Sequence, residues 1–169
     1  MKPYVVSIDP SGSFKEGLGT TGYYVLDGEC NTVRHGIVEA KNHTDQMHYW
    51  NHVLCTIDSL MSINKNAVLS LEDYVLYASS AKSQINSEME TSKLIGAIMM
   101  HAYLHNYKLY KRNASAVMKR WTNHIIEHKG IIVRSGNTWA DAQGNKINQH
   151  SMDALRHGLH CHYFESEDI

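Results

Sequence analysis

The sequence predicts an α/β domain in which a mixed five-stranded sheet is flanked by helices. Three observations lead there. Three β-rich runs follow one another between residues 4 and 39. From residue 44 onward, segments of helical period alternate with short apolar runs. Nothing divides the chain: its two prolines, Pro3 and Pro10, stand near the start, and no repeat or low-complexity tract is visible. Residues 1–169 therefore read as one domain.

The elements follow in order. Residues 4–9, Tyr-Val-Val-Ser-Ile-Asp, form a first strand that ends in a carboxylate. Pro10 and a Gly/Ser loop from Ser11 to Gly19 follow, and this loop reads as mobile. Residues 20–27 and 32–39 are the second and third strands, with Asp27-Gly28 as the turn between them, so the three form an antiparallel meander. Over 44–61, Met47, Trp50, Val53, Leu54, Ile57, Leu60 and Met61 recur at helical spacing, with Thr44 placed to cap. Val68 to Glu72 is a buried-type strand that again ends in an acid. Residues 87–105 read as a second amphipathic helix and 107–111 as a fifth strand. One or two short helices are expected over 115–128, and a loop or small hairpin over 137–147 with Gly144-Asn145 at its turn. A final helix spans 151–164.

Composition narrows the classes. Apolar residues are 43% of the chain, enough for one sizeable core. The formal net charge of −1 excludes a histone-like DNA coat but permits a nucleic-acid enzyme with an acidic pocket ringed by basic residues. Lys111, Arg112, Lys119 and Arg120 form the tightest basic group, and a solvated surface is its plain alternative. Cys30, Cys55 and Cys161 are far apart, with no CxxC pair, which argues against a zinc ribbon. The apolar run at the start is too short for a signal peptide, and the stretch from Leu94 to Leu104 is too short to span a bilayer. The expectation is a reducing, cytoplasmic setting without membrane attachment. Of twelve histidines, His35, His43, His48 and His52 read as surface or structural.

The chemistry concentrates elsewhere. Asp9 and Glu72 both stand at the carboxyl ends of predicted strands, where ligands bind in open α/β sheets. Carboxylates brought together there repel unless a cation lies between them. Asp153 lies in the final helix with His150 three residues earlier, on one face. Asp9, Glu72, His150 and Asp153 can thus converge, although Asp153 is equally suited to charging the start of its helix. Asp73 and Asp141 are the runner-up ligands; Asp73 alternates away from Glu72 in a continued strand. His157 lies one turn beyond Asp153 and reads as a surface helix histidine, with a supporting or general-acid role as the alternative; His160 and His162 read as structural. Tyr74 and Tyr77, just after Glu72, are candidate base contacts or core packing, and Lys82 in the same stretch is a further candidate DNA contact.

Several short motifs occur in a familiar order. Val-Val-Ser-Ile-Asp-Pro-Ser-Gly at 5–12, resuming as Thr-Thr-Gly-Tyr-Tyr-Val at 20–25, resembles the opening of RuvC-family Holliday-junction resolvases. Leu-Ser-Leu-Glu at 69–72 resembles their second acidic strand, and Ser92 to Gly96 is similar to their central helix. His-Ser-Met-Asp-Ala-Leu-Arg-His-Gly at 150–158 resembles their terminal acidic helix. The likeness runs nearly the whole chain and is closest to bacteriophage versions. It implies a ribonuclease-H-like fold, a homodimer, and paired symmetric nicks across a four-way junction; other branched DNA such as forks is a wider substrate range open to the same site. It also implies two Mg²⁺ or Mn²⁺ ions per site, held by Asp9, Glu72, His150 and Asp153. Lys119, in Ala-Val-Met-Lys, resembles a catalytic-region lysine that stabilises phosphoryl charge. Lys82, Lys111, Arg112, Lys119 and Arg120, with Tyr74 and Tyr77, are the expected DNA contacts. The segment 87–105 is the candidate dimer element, because its apolar positions are numerous for one helix face.

Three features depart from the family pattern. The loop from Pro10 to Thr21 is longer than the usual turn. The segment after Lys119 is shorter and diverges. His150 stands where many relatives carry an acid. Rival readings are a broad-specificity debranching nuclease for phage genomes, a non-catalytic nucleic-acid-binding module of the same fold, and an actin-like sugar kinase or ATPase. The last shares a strand, an Asp and a Gly-rich turn at its start but needs a second large domain for which this chain has no room.

Overall fold

A computed structural model describes residues 2–14, 17–73 and 89–165. Five strands make the main sheet: β1 (Val5–Asp9), β2 (Thr20–Leu26), β3 (Thr32–Glu39), β4 (Val68–Asp73) and β5 (Leu109–Asn113). Their order is β3-β2-β1-β4-β5. The first three form the expected antiparallel meander, while β4 and β5 join β1 in parallel. The helices are α1 (Gln46–Met61), α2 (Glu90–Leu104), α3 (Ala114–Arg120), α4 (Asn123–His128) and α5 (Gln149–Phe164). The predicted mixed five-stranded sheet with flanking helices is what the chain forms.

Strand alternation divides the core. Val6, Ile8, Leu69 and Leu71 face one way and pack with Tyr49, Val53, Ile57 and Leu60 of α1 and Leu94 and Ile98 of α2. Val5 and Val68 face the other way, against Cys161 of α5. Ser7, Asp9, Ser70 and Glu72 share this second face by the same alternation. Small side chains let α5 lie close there. A Cβ on Gly158 would meet Ser7 Oγ at 2.7 Å, and one on Gly22 would meet the His150 carbonyl at 2.3 Å or less. Gly22 is the β2 partner of Asp9, so this close approach sets the start of α5 directly over the acid.

Four expectations need correction. Asp45, not Thr44, caps α1, accepting from the His48 N–H at 2.9 Å. The last helix begins two residues earlier than expected, at Gln149, because Asn148 accepts from the His150 N–H. The described part of the loop after Pro10 is tethered: Gly12 N–H donates to Thr91 Oγ1, Phe14 N–H to Glu90, Tyr49 hydroxyl to the Ser11 carbonyl and Trp50 indole N–H to that of Gly12. Finally, the hairpin expected over 137–147 is part of a second, three-stranded antiparallel sheet of β6 (Ile132–Ser135), β7 (Thr138–Asp141) and β8 (Lys146–Ile147). Its first strand was not anticipated. Ile132 and Ile147 of this sheet, with Ile126 of α4, pack with Met152, Leu155 and Leu159, so α5 is covered on both sides.

Candidate active site

β1 and β4 run in parallel register, Val5 beside Val68 and Ser7 beside Ser70. Continued by two residues, this register sets Asp9 beside Glu72 on the face that α5 covers. Two buried hydroxyls tie the layers together below them: Ser7 Oγ donates to the Tyr24 carbonyl at 2.9 Å and Ser70 Oγ to that of His157 at 3.2 Å. The first turns of α5 then bring His150 and Asp153 to the same end.

His150 Nδ1 lies 2.9 Å from Asp9 Oδ2. Burial pushes the Asp9 carboxyl up to about 6; the His150 hydrogen bond opposes this, and the nearby Glu72 and Asp153 charges add to it. His150 is pushed above the usual imidazole value, chiefly by its hydrogen bond to Asp9 against the opposing effect of burial. Asp153 and Glu72 contribute to its rise through their charge. The four residues named from sequence are thus in mutual electrostatic reach.

Each acid leans on its own cation or donor. Glu72 Oε2 is 3.3 Å from Nε2 of His157, whose side chain is only 1% exposed. Asp153 takes a hydrogen bond from Arg156 and two from Gln149 Nε2, at 3.1 and 3.2 Å. Arg156 is itself anchored, Nε on the Trp121 carbonyl at 3.1 Å and Nη2 on Asn123 Oδ1. Consequently the acids do not crowd to a point: among the described residues, the site does not bring three donor atoms within 4.8 Å of one another. Three carboxylates and one imidazole at the strand ends form an oxygen-rich set suited to hard divalent cations with one nitrogen ligand. The upward push on Asp9 from its like-charged neighbours is what a bound cation would relieve, so the residues present fit such an ion.

The remaining sequence candidates fall elsewhere. Asp73 pairs with Lys111 at 3.1 Å. Asp141 is buried in the β7–β8 turn, accepting from the Gln143 and Asn145 N–H groups and lying 3.2 Å from His35, so it is not at the site. Arg112 pairs with the buried Glu165, and the Arg120 guanidinium lies over the Phe164 ring at 4.0 Å. Lys119 is exposed on α3, without an ion pair or hydrogen bond among the described residues. Tyr74, Tyr77 and Lys82 lie outside the described residues.

Two residues were misjudged or missed. His157 is buried against Glu72, not a surface histidine, because the layer of residues 114–147 covers the outer side of α5. Arg156 was not singled out, although its place three residues after Asp153 is a sequence signal for pairing on one helix face.

No protein-family model matches the sequence, and no curated protein matches it. Solved structures do. "T. thermophilus RuvC in complex with Holliday junction substrate" superposes with a TM-score of 0.67 at 13% identity, covering 95% of this chain and 94% of that one. A second Thermus thermophilus RuvC structure gives 0.63 at 12% identity with the same coverage. At such identities the likeness speaks for architecture. From β1 to α5, this chain has the ribonuclease-H-like fold of the RuvC structures.

Proposed function

We propose that this protein is a metal-dependent, structure-selective endonuclease that resolves four-way DNA junctions, and forks like them, by paired phosphodiester hydrolysis. The observation that carries this reading is the gathering of Asp9, Glu72, His150 and Asp153 at one end of the main sheet, on a fold whose solved neighbour is described with a Holliday junction substrate. Asp9, Glu72, Asp153 and His150 would hold two Mg²⁺ or Mn²⁺ ions, which activate water and stabilise the leaving oxygen when roughly 3.5–4 Å apart. His157 and Arg156 orient Glu72 and Asp153 from behind, as supporting partners of ligands do. Lys119, free of intramolecular partners among the described residues, is assigned to phosphate near the cut strand, with Arg120, Lys111, Arg112 and Lys82 along the DNA path and Tyr74 and Tyr77 against unpaired bases.

A junction cut in both strands calls for two sites related by a two-fold axis. Support for a homodimer comes from α2, whose second half leaves Met100 59%, Tyr103 78% and Leu104 66% exposed.

The test is cleavage of a synthetic four-way junction by purified protein, alongside a fork, a flap and linear duplex, with light scattering on the same sample. The expected result is divalent-dependent, symmetric nicks in the junction by a dimer. Equal cutting of every branched form would favour the debranching reading, and binding without cutting in any metal would leave only a binding module.

A further inference from the structure

A second cluster of ligand-type side chains lies away from these acids. Asp58 sits in the fourth turn of α1, and His101 in the last turn of α2 stands one turn before His105, the residue that caps it. One ligand atom from each of the three lies within 4.8 Å of the other two. His101 Nε2 is 2.7 Å from Asp58 Oδ1, and the two imidazoles lie side by side with centroids 4.3 Å apart.

The backbone builds this arrangement. α2 ends at Leu104 with His105 as its cap, and Asn106 takes a left-handed conformation with φ of 55°. Tyr107 N–H then closes back on the Ala102 carbonyl at 2.9 Å. That reversal carries the Tyr107 ring alongside His105, with centroids 5.5 Å apart, and its hydroxyl to Asp58 Oδ1 at 2.9 Å. The Asp58 carboxylate is thereby held in place by a phenol, the kind of outer partner that fixes metal-ligating carboxylates. His101 is largely covered, whereas His105 is exposed, so one side of the cluster faces solvent.

The site stands apart from the acids at the strand ends. Tyr107 precedes β5, whose Leu109 pairs with Leu69 at the start of β4, while Glu72 lies at its end. Five residues of strand separate the two levels, about 16 Å along the sheet.

We propose that Asp58, His101 and His105 form a binding site for a borderline transition-metal ion of the Zn²⁺ type, clamping α1 to the end of α2. Two imidazoles and one carboxylate are a recurrent three-ligand set for tetrahedral Zn²⁺, with water in the fourth position. The same set is poorly suited to Mg²⁺ or Ca²⁺, which take mainly oxygen ligands. The ion ties together the two helices packed on one face of the sheet and the turn entering β5. α2 also holds the loop after Asp9 at its other end, through Thr91 and Glu90. This inference does not depend on the nuclease reading.

The test is titration of the full-length chain with Zn²⁺ against a chromophoric chelator, with Co²⁺ absorption as a geometric readout. Wild type and Asp9→Asn are expected to bind one tight Zn²⁺ equivalent at this site and to give tetrahedral Co²⁺ bands. His105→Ala, which changes an exposed side chain, is expected to weaken that equivalent by at least about 100-fold, and Tyr107→Phe by about 10-fold. A tight equivalent that survives His105→Ala but disappears in Asp9→Asn assigns the ion to the strand-end acids and overturns the proposal. So does the absence of any tight equivalent in the wild type.

Discussion

Two clusters of acids and histidines stand at opposite ends of the sheet and are built differently. At the strand ends, Asp9, Glu72 and Asp153 outnumber the one imidazole that touches Asp9, and burial with like charge drives that carboxyl up to about 6. On the helices, Asp58 meets two imidazoles and a phenol; burial alone would raise it, but those partners hold it below the usual carboxylate range. The first arrangement is costly without a cation and leaves its acids spread onto separate partners. The second holds its one acid by hydrogen bonds from His101 and Tyr107 and is already compact. An electrostatic cost at one end and its absence at the other is the difference between the cluster proposed for chemistry and the one proposed to hold two helices together.

The sharpest way to break that comparison is to remove charge from the strand ends. Asp9→Asn, Glu72→Gln and Asp153→Asn are each expected to lower junction cleavage by about 10³-fold or more, since metal-centred stabilisation supplies several kcal/mol. Junction binding in a gel shift without metal should persist. Equal loss of binding and cutting would mean that these residues shape the DNA surface instead.

A second effect runs the opposite way. A carboxyl that titrates at about 6 when folded and 3.8 when unfolded binds its proton more tightly in the folded state. Its cost is absent below pH 3.8, grows as pH rises, and is complete above about 6. Asp9→Asn should therefore stabilise the metal-free protein at pH 7.5 by about 3 kcal/mol, with the gain shrinking toward pH 4. Denaturant melts in chelator at the two pH values would show it; a destabilised variant at pH 7.5 would contradict the assigned cost.

A smaller effect concerns His150. Its imidazole is pushed upward by Asp9, and metal binding needs the neutral ring, so cleavage should fall on an acid limb that starts above the ordinary imidazole value near 6.5. His150→Asp should flatten that limb and raise Mg²⁺ activity relative to Mn²⁺ by about 10-fold. Rate profiles in both metals check it, and an unchanged preference would remove His150 from the site.

How much of this was legible in the sequence follows from the same contrast. β1 and β4 were readable because each is a short, largely apolar run that ends in an acid; β5, Leu-Tyr-Lys-Arg-Asn, is amphipathic and only partly buried, and it lies two residues later than the expected 107–111. β6 was missed because it is only four residues long; the Gly136-Asn137 pair between Ser135 and Thr138 is the turn signal that could have found it. The burial of His157 was not legible, because a helix covered on both sides shows no single polar face and its outer cover comes from residues 114–147. The Asp58 cluster was hidden for a related reason: its ligands come from two helices, and Tyr107 reaches them only through the left-handed turn at Asn106.

The central claim is that Asp9, Glu72, His150 and Asp153 together hold the divalent cations. Mn²⁺ titration followed by electron paramagnetic resonance tests it most directly, comparing wild type with Asp9→Asn and with His105→Ala. Bound Mn²⁺ is expected in wild type and His105→Ala and is expected to be lost in Asp9→Asn. Mn²⁺ binding that is indifferent to Asp9→Asn would contradict it.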